Sequence, residues 1–183
     1  MKSEDAYRIL DESDLIVNEA EVIQAINRVA REMTDKLRNL NPVLICCMNG
    51  GLIYAGQLLT KLSFPLQIDY VHATRYGNEI NGFELEWKIK PQLDLQNRTV
   101  VLVDDILDEG VTLSAVSDYC KEQGATSILM SVLVEKLHQR KRKPEMRADF
   151  VGIEVVDRFL FGYGLDFKGY WRNAPGIYAL KTK

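Results

Sequence analysis

The stretch that decides the fold is Thr99–Ser114, TVVLVDDILDEGVTLS. A run of β-branched and apolar residues ends in two adjacent carboxylates, Asp104 and Asp105. Asp108, Glu109, Gly110 and Thr112 follow within seven residues. Continuous rather than alternating apolar character marks a strand covered on both faces, as in a parallel sheet. Ligands of open α/β sheets gather outside the carboxyl ends of the strands, where these acids stand. Backbone N–H groups at the helix start that follows suit a phosphate, and glycine lets the backbone approach it closely. Vicinal carboxylates suit sugar hydroxyls or a hard cation such as magnesium. A Walker B strand is the competing reading of VVLVDD, but no G-x-x-x-x-G-K-[ST] accompanies it.

The surrounding segments repeat the strand–helix alternation. Asn18–Asn39 carries apolar residues at helical spacing, with Asn18 and Glu21 set as a capping box. VLICCM reads as a buried strand, followed by NGG and a helix around Leu52–Leu62. PLQIDYVHATRY is a further strand, and FELEWKIK alternates as a half-exposed strand does, so the two form a hairpin arm. A helix is expected over Thr112–Gln123, stopped by Gly124, and then a strand in ATSILMSVLVE. The pattern predicts an α/β domain with a mainly parallel, twisted sheet flanked by helices. At 183 residues the chain suits one domain, residues 1–183. The last third is rich in glycine and aromatics, with short strand-like pieces.

Bulk properties exclude several classes. The net charge of −3 makes no electrostatic case for nucleic acid or an anionic membrane. No apolar run approaches a membrane span, and the N-terminus carries no signal-peptide pattern, so a cytoplasmic protein is expected. Three cysteines, two of them adjacent at Cys46 and Cys47, do not make a disulfide framework. They read as small core residues. His72 and His138 lack the spacing of a zinc site. The basic run QRKRK reads as a solvated surface loop.

The segment VVLVDDILDEGVTL resembles the phosphoribosyl pyrophosphate (PRPP) motif of type I phosphoribosyltransferases. ICCMNGGLIYAGQL, IDYVHATRYGNE, LVEKL and DFVGIEVVDRFLFGYGLDFKGYWRN are similar, in the same order, to segments of the bacterial hypoxanthine-guanine phosphoribosyltransferases. The resemblance runs roughly from Asp14 to Leu180. It implies a core over about 18–150, a small hood made by the N-terminal segment and about 151–183, and a mobile hairpin loop. It also implies a homodimer or homotetramer.

The resemblance further implies the site. Asp104 and Asp105 would hold the ribose hydroxyls of PRPP, directly or through Mg2+. Asp108, Glu109, Gly110, Val111 and Thr112 would receive the 5′-phosphate, with Asp108 also the general base toward purine N7. Met48, Asn49, Gly50 and Gly51 would bind pyrophosphate, with a cis peptide at Met48–Asn49, assisted by Arg172 and, on loop closure, Arg75. Lys136 would meet the purine O6, Phe159 would stack on the base, and the Leu160 backbone would meet its edge. Asp166 would ligate magnesium near the purine, alongside Asp104 and Asp105. Glu109, Val111 and Asn49 depart from the residues common in relatives. The activity implied is transfer of phosphoribose from PRPP to N9 of hypoxanthine or guanine, giving IMP or GMP. A PRPP-sensing regulatory protein that binds nucleic acid and a xanthine-preferring enzyme are the alternatives.

Overall fold

The computed structural model describes residues 1–76 and 84–181, with backbone alone at 75, 76 and 84. The loop expected to close over the site, and the side chain of Arg75, lie outside the described residues. In chain order the elements are α1 (Ser3–Asp11), β1 (Asp14–Val17), α2 (Glu19–Leu37), β2 (Val43–Met48) and α3 (Gly51–Leu59). There follow β3 (Gln67–Tyr76), β4 (Glu84–Ile89), β5 (Thr99–Leu107), α4 (Val111–Glu122) and β6 (Ser127–Leu137). The chain ends with β7 (Phe150–Val156), β8 (Leu160–Phe161) and β9 (Ile177–Ala179).

The main sheet has six strands in the order β4-β3-β2-β5-β6-β7. All neighbours pair in parallel except β3 and β4, which form an antiparallel arm. Val100–Val103 at its centre are essentially fully buried, which explains the unbroken apolar run. One core layer joins the sheet to α2 and α3 through Ile26, Met33, Tyr54, Leu58 and Val101. The other joins it to α4 through Leu102, Leu113, Val116 and Cys120. All three cysteines are buried and unbonded, as small core residues should be.

Asn18 accepts from the Glu21 N–H while Glu21 accepts from the Asn18 N–H, so α2 starts at the expected capping box. Gly124, at φ +85°, breaks the helix just past the end of α4. Because β7 pairs with β6, it closes the main sheet, and the chain enters the hood after it. The hood is a three-stranded sheet, β1-β9-β8, that joins the two ends of the chain. Helix α1 had no clear sequence signal. Ala6 is its one buried residue, and the helix is held from outside: Trp171 Nε1 donates to the Ala6 carbonyl at 2.8 Å, and Tyr7 packs edge-on against Trp171. Among the described residues no helix is long and apolar enough to cross a membrane.

Candidate functional site

The carboxyl ends of β2, β5 and β6 lie side by side, so the loops that leave them share one edge of the sheet. Strand β5 delivers Asp104 and Asp105 there, then Asp108 on the loop into α4. Asp105 is buried, and its N–H donates to Asp104 Oδ1 at 2.9 Å. Burial first, and then the charge of Asp105, hold the Asp104 carboxyl well above the usual carboxylate range. Burial raises Asp105 as well, against the opposing hydrogen bond of Asp104 and the Arg172 guanidinium.

The β2–α3 turn packs onto this pair. The Met48–Asn49 peptide is cis, at the bond the resemblance indicated. Gly50 lies so close to Asp105 that an added Cβ would collide with its carboxylate. Any side chain there would displace either the turn or the acid. Asn49 is exposed at the tip, and Gly51 is buried against β5.

The hood supplies the facing groups. Arg172 Nη1 donates to the Gly164 carbonyl at 2.6 Å and lies 3.8 Å from Asp105 Oδ2. Its Nη2 is paired with Asp166 Oδ1 at 2.6 Å. The Gly169 N–H fixes the other Asp166 oxygen at 2.6 Å. Arg172 therefore stands between the β5 acids and the hood acid. Asp104, Asp105 and Asp166 offer carboxylate oxygens, and Arg172 pairs with Asp166 and approaches Asp105. Carboxylate oxygens are the donor type that magnesium takes, one or two at a time, with water and phosphate in its other positions.

A second cluster forms around Asp108. Lys136, at the end of β6, is buried and donates to Asp108 Oδ2 at 2.8 Å, with Asp157 Oδ1 at 3.6 Å. His138 Nε2 meets Asp108 Oδ1 at 2.6 Å. Arg140 pairs closely with Asp157 and lies 3.9 Å from Asp108. Burial pushes Asp108 upward, but the hydrogen bonds from Lys136 and His138 outweigh it and leave the carboxyl below its usual value. Asp157 is drawn down to about 2, chiefly by its bond to Arg140. Asp108, His138 and Asp157 bring ligand atoms within 4.8 Å of one another. Lys136 and Arg140 pair with the carboxylate oxygens of this cluster, which is an ion-pair network in this structure.

Residues 109–112 lead from Asp108 into α4. Gly110 has φ +75°, a left-handed conformation that glycine adopts without steric cost. The Met146 sulfur fills the space where a Cβ would stand. Val111 is buried, Thr112 is half-buried at the start of α4, and the Glu109 carbonyl accepts from the Arg142 N–H at 2.8 Å. Phe159 leaves 51% of its surface exposed, an unusual exposure for a phenylalanine, and packs edge-on against Phe167. Leu160 is buried and paired with Ala179 in the hood sheet.

Two features escaped the sequence. QRKRK is not simply a solvated loop: the Lys141 side chain is 1% exposed and pairs with the fully buried Glu135. His138 carried no metal spacing, yet it touches Asp108. The signal available was its place two residues beyond Lys136, just past the end of β6.

Residues 13–168 match the phosphoribosyl transferase domain family. The chain is 32% identical over 174 residues to the hypoxanthine-guanine phosphoribosyltransferase of Bacillus subtilis strain 168, covering 93% of this chain and 94% of that one. A hypoxanthine phosphoribosyltransferase from Staphylococcus aureus has the same fold, with a TM-score of 0.88 at 21% identity over 98% of this chain and 97% of that one. A solved hypoxanthine-guanine-xanthine phosphoribosyltransferase gives 0.84 at 27% identity, over 94% of this chain and 99% of its own. The chain thus belongs to the phosphoribosyl transferase domain family, among the hypoxanthine-guanine phosphoribosyltransferases.

Proposed function

We propose that the chain is a purine salvage enzyme that moves the 5-phosphoribosyl group from PRPP to N9 of hypoxanthine or guanine, releasing pyrophosphate. The observation that carries this reading is the Lys136–Asp108 pair, 2.8 Å apart at the sheet's carboxyl edge. A cation beside a carboxylate is complementary to the O6 and N7–H of a 6-oxopurine. Adenine presents an amino donor in place of O6, and would set donor against donor at Lys136.

In this account the ribose hydroxyls lie on Asp104 and Asp105. The 5′-phosphate lies on the backbone N–H groups of the loop Asp108–Thr112 at the start of α4, where the helix dipole favours an anion. Pyrophosphate is received by the turn Met48–Gly51 and by Arg172, with Arg75 added from the arm. Phe159 stacks on the base, and the Leu160 backbone meets its edge. Lys136 turns from Asp108 to O6, and the freed Asp108 Oδ2 accepts the N7 proton as N9 bonds to C1′ and pyrophosphate departs with the C1′–O electron pair. Magnesium held by Asp104, Asp105 and Asp166 would offset the charge of the leaving pyrophosphate.

The regulatory, nucleic-acid-binding alternative drew its only local support from KLHQRKRK. Lys136, His138 and Lys141 of that run are buried in side-chain pairs, and the exposed Arg140 is paired with Asp157. The test is a panel of hypoxanthine, guanine, xanthine and adenine with PRPP and magnesium. Turnover with a 6-oxopurine and not with adenine is expected. No turnover with any 6-oxopurine overturns the reading, and rapid turnover with xanthine alone reassigns the base.

A further inference from the structure

The Asp108 carboxylate divides its two oxygens between different partners. Oδ2 takes the Lys136 ammonium at 2.8 Å, whereas Oδ1 takes His138 Nε2 at 2.6 Å. The other imidazole nitrogen is also engaged: the Arg140 N–H donates to His138 Nδ1 at 3.0 Å. A nitrogen that accepts from a backbone amide carries no proton of its own. His138 is therefore the Nε2–H tautomer, and it donates to Asp108. Its side chain is only 6% exposed. The charged groups around it include Asp108, Asp157, Arg140 and Lys136, and Glu109 acts on Arg140 in turn, so the ring is part of one ion-pair network.

This division matters when a base arrives. On the purine reading above, Lys136 leaves Oδ2 for the purine O6. A carboxylate that lost its only partner would be free to rotate about Cβ–Cγ. Asp108 keeps a second donor, on the oxygen that the base does not use. We propose that His138 is a positioning residue for Asp108, holding Oδ1 so that Oδ2 faces the purine N7–H while Lys136 changes partner. The proton passes from N7 to Oδ2 as the N9–C1′ bond forms. His138 keeps its own Nε2 proton throughout and serves the charged and the neutral carboxyl alike. This inference rests on the proposed purine site and adds a residue whose spacing fitted no metal centre.

Two amide substitutions separate the two hydrogen bonds of the ring. His138→Asn places an acceptor near Nδ1 and is too short to reach Asp108. His138→Gln places a donor near Nε2 and gives up the Nδ1 acceptor. The Asn variant should lose about tenfold in kcat, the scale of one hydrogen bond to a charged group. Its KM for PRPP should hold. The acid limb of its kcat/KM profile should move to higher pH, because the carboxylate loses a donor that favours its ionised form. The Gln variant should keep kcat within about threefold on the same scale, and keep the acid limb. Wild-type kcat and acid limb in the Asn variant overturn the proposal, as does an equal loss in both variants, which would mean that His138 only ties the loop. A carbon-detected NMR titration of Asp108 in the unliganded variants gives a readout independent of turnover. No change of the Asp108 titration in the Asn variant overturns the role of His138 even if the wild-type chain proves inactive toward purines, a result that would sink the purine reading instead.

Discussion

Replacing Lys141 by Met should destabilise the protein by about 3 kcal/mol, the lower end of the cost of breaking a buried ion pair from one side. Both side chains are enclosed, Glu135 at 0% and Lys141 at 1% exposure. The substitution leaves the Glu135 carboxylate buried with two weaker partners, the Ala148 N–H at 3.1 Å on Oε2 and Arg147 Nε at 3.4 Å on Oε1. Those partners are why the lower end applies. The loss is a sizeable share of a folding free energy of roughly 5–15 kcal/mol. Urea unfolding followed by circular dichroism reads it directly: with a slope of roughly 2–3 kcal/mol/M the midpoint falls by about 1–1.5 M. Adding Glu135→Gln removes the orphaned charge, so the double variant should recover most of the loss. The consequence reaches the site, because Lys141 also donates to the Met146 carbonyl at 3.2 Å and the Met146 sulfur packs on Gly110. The KM for PRPP should therefore rise in the single variant. A loss under about 1 kcal/mol, the scale of an exposed pair, or a double variant no more stable than the single one, would refute the reasoning.

Two further outcomes follow from the buried groups of the site. Asp104 has its carboxyl raised by burial and by Asp105, so folding favours the protonated form. Its ionised form therefore costs stability at neutral pH, and that cost is relieved as pH falls through the raised folded value. Asp104→Asn should accordingly raise the Tm of the unliganded protein at pH 7, by about 2–4 °C per kcal/mol recovered, while PRPP binding is lost; a lower Tm would contradict this, and differential scanning calorimetry decides. The thiols should be silent toward a disulfide reagent at pH 8 until the chain is unfolded, since burial pushes Cys46 up to about 12 and Cys120 to about 11; one fast-reacting thiol would place a cysteine in the site.

The sheet was legible because its signal is local and redundant. Val100–Val103 are apolar on both faces, and turn residues bracket each strand. The placement of Asp104 to Thr112 was legible for the same reason, since they are contiguous and run from a strand end into a helix start. Helix α1 was not legible: Ala6 is its single buried position, and its anchor, Trp171, is 165 residues away. The fate of QRKRK also turned on distance in the chain. A lysine is solvated by default, and nothing local shows that Glu135 is enclosed at the end of a buried strand, where it requires a cation. His138 failed by a different route, because a search for metal ligands asks about spacing and not about which carboxylate a ring will face. Arg172, Asp166 and Asp105 meet only through the hood, whose strands β1 and β9 bring the two ends of the chain together.

Asp108 is the proposed acceptor of the purine N7 proton, and Asp108→Asn tests that role most directly. Single-turnover kinetics with hypoxanthine and calorimetric binding of PRPP should be measured on the same preparation. The transfer rate is expected to fall by roughly 10²–10⁴-fold, the contribution of a positioned general base, with PRPP affinity held within about threefold. A variant that transfers phosphoribose at the wild-type rate would contradict the assignment.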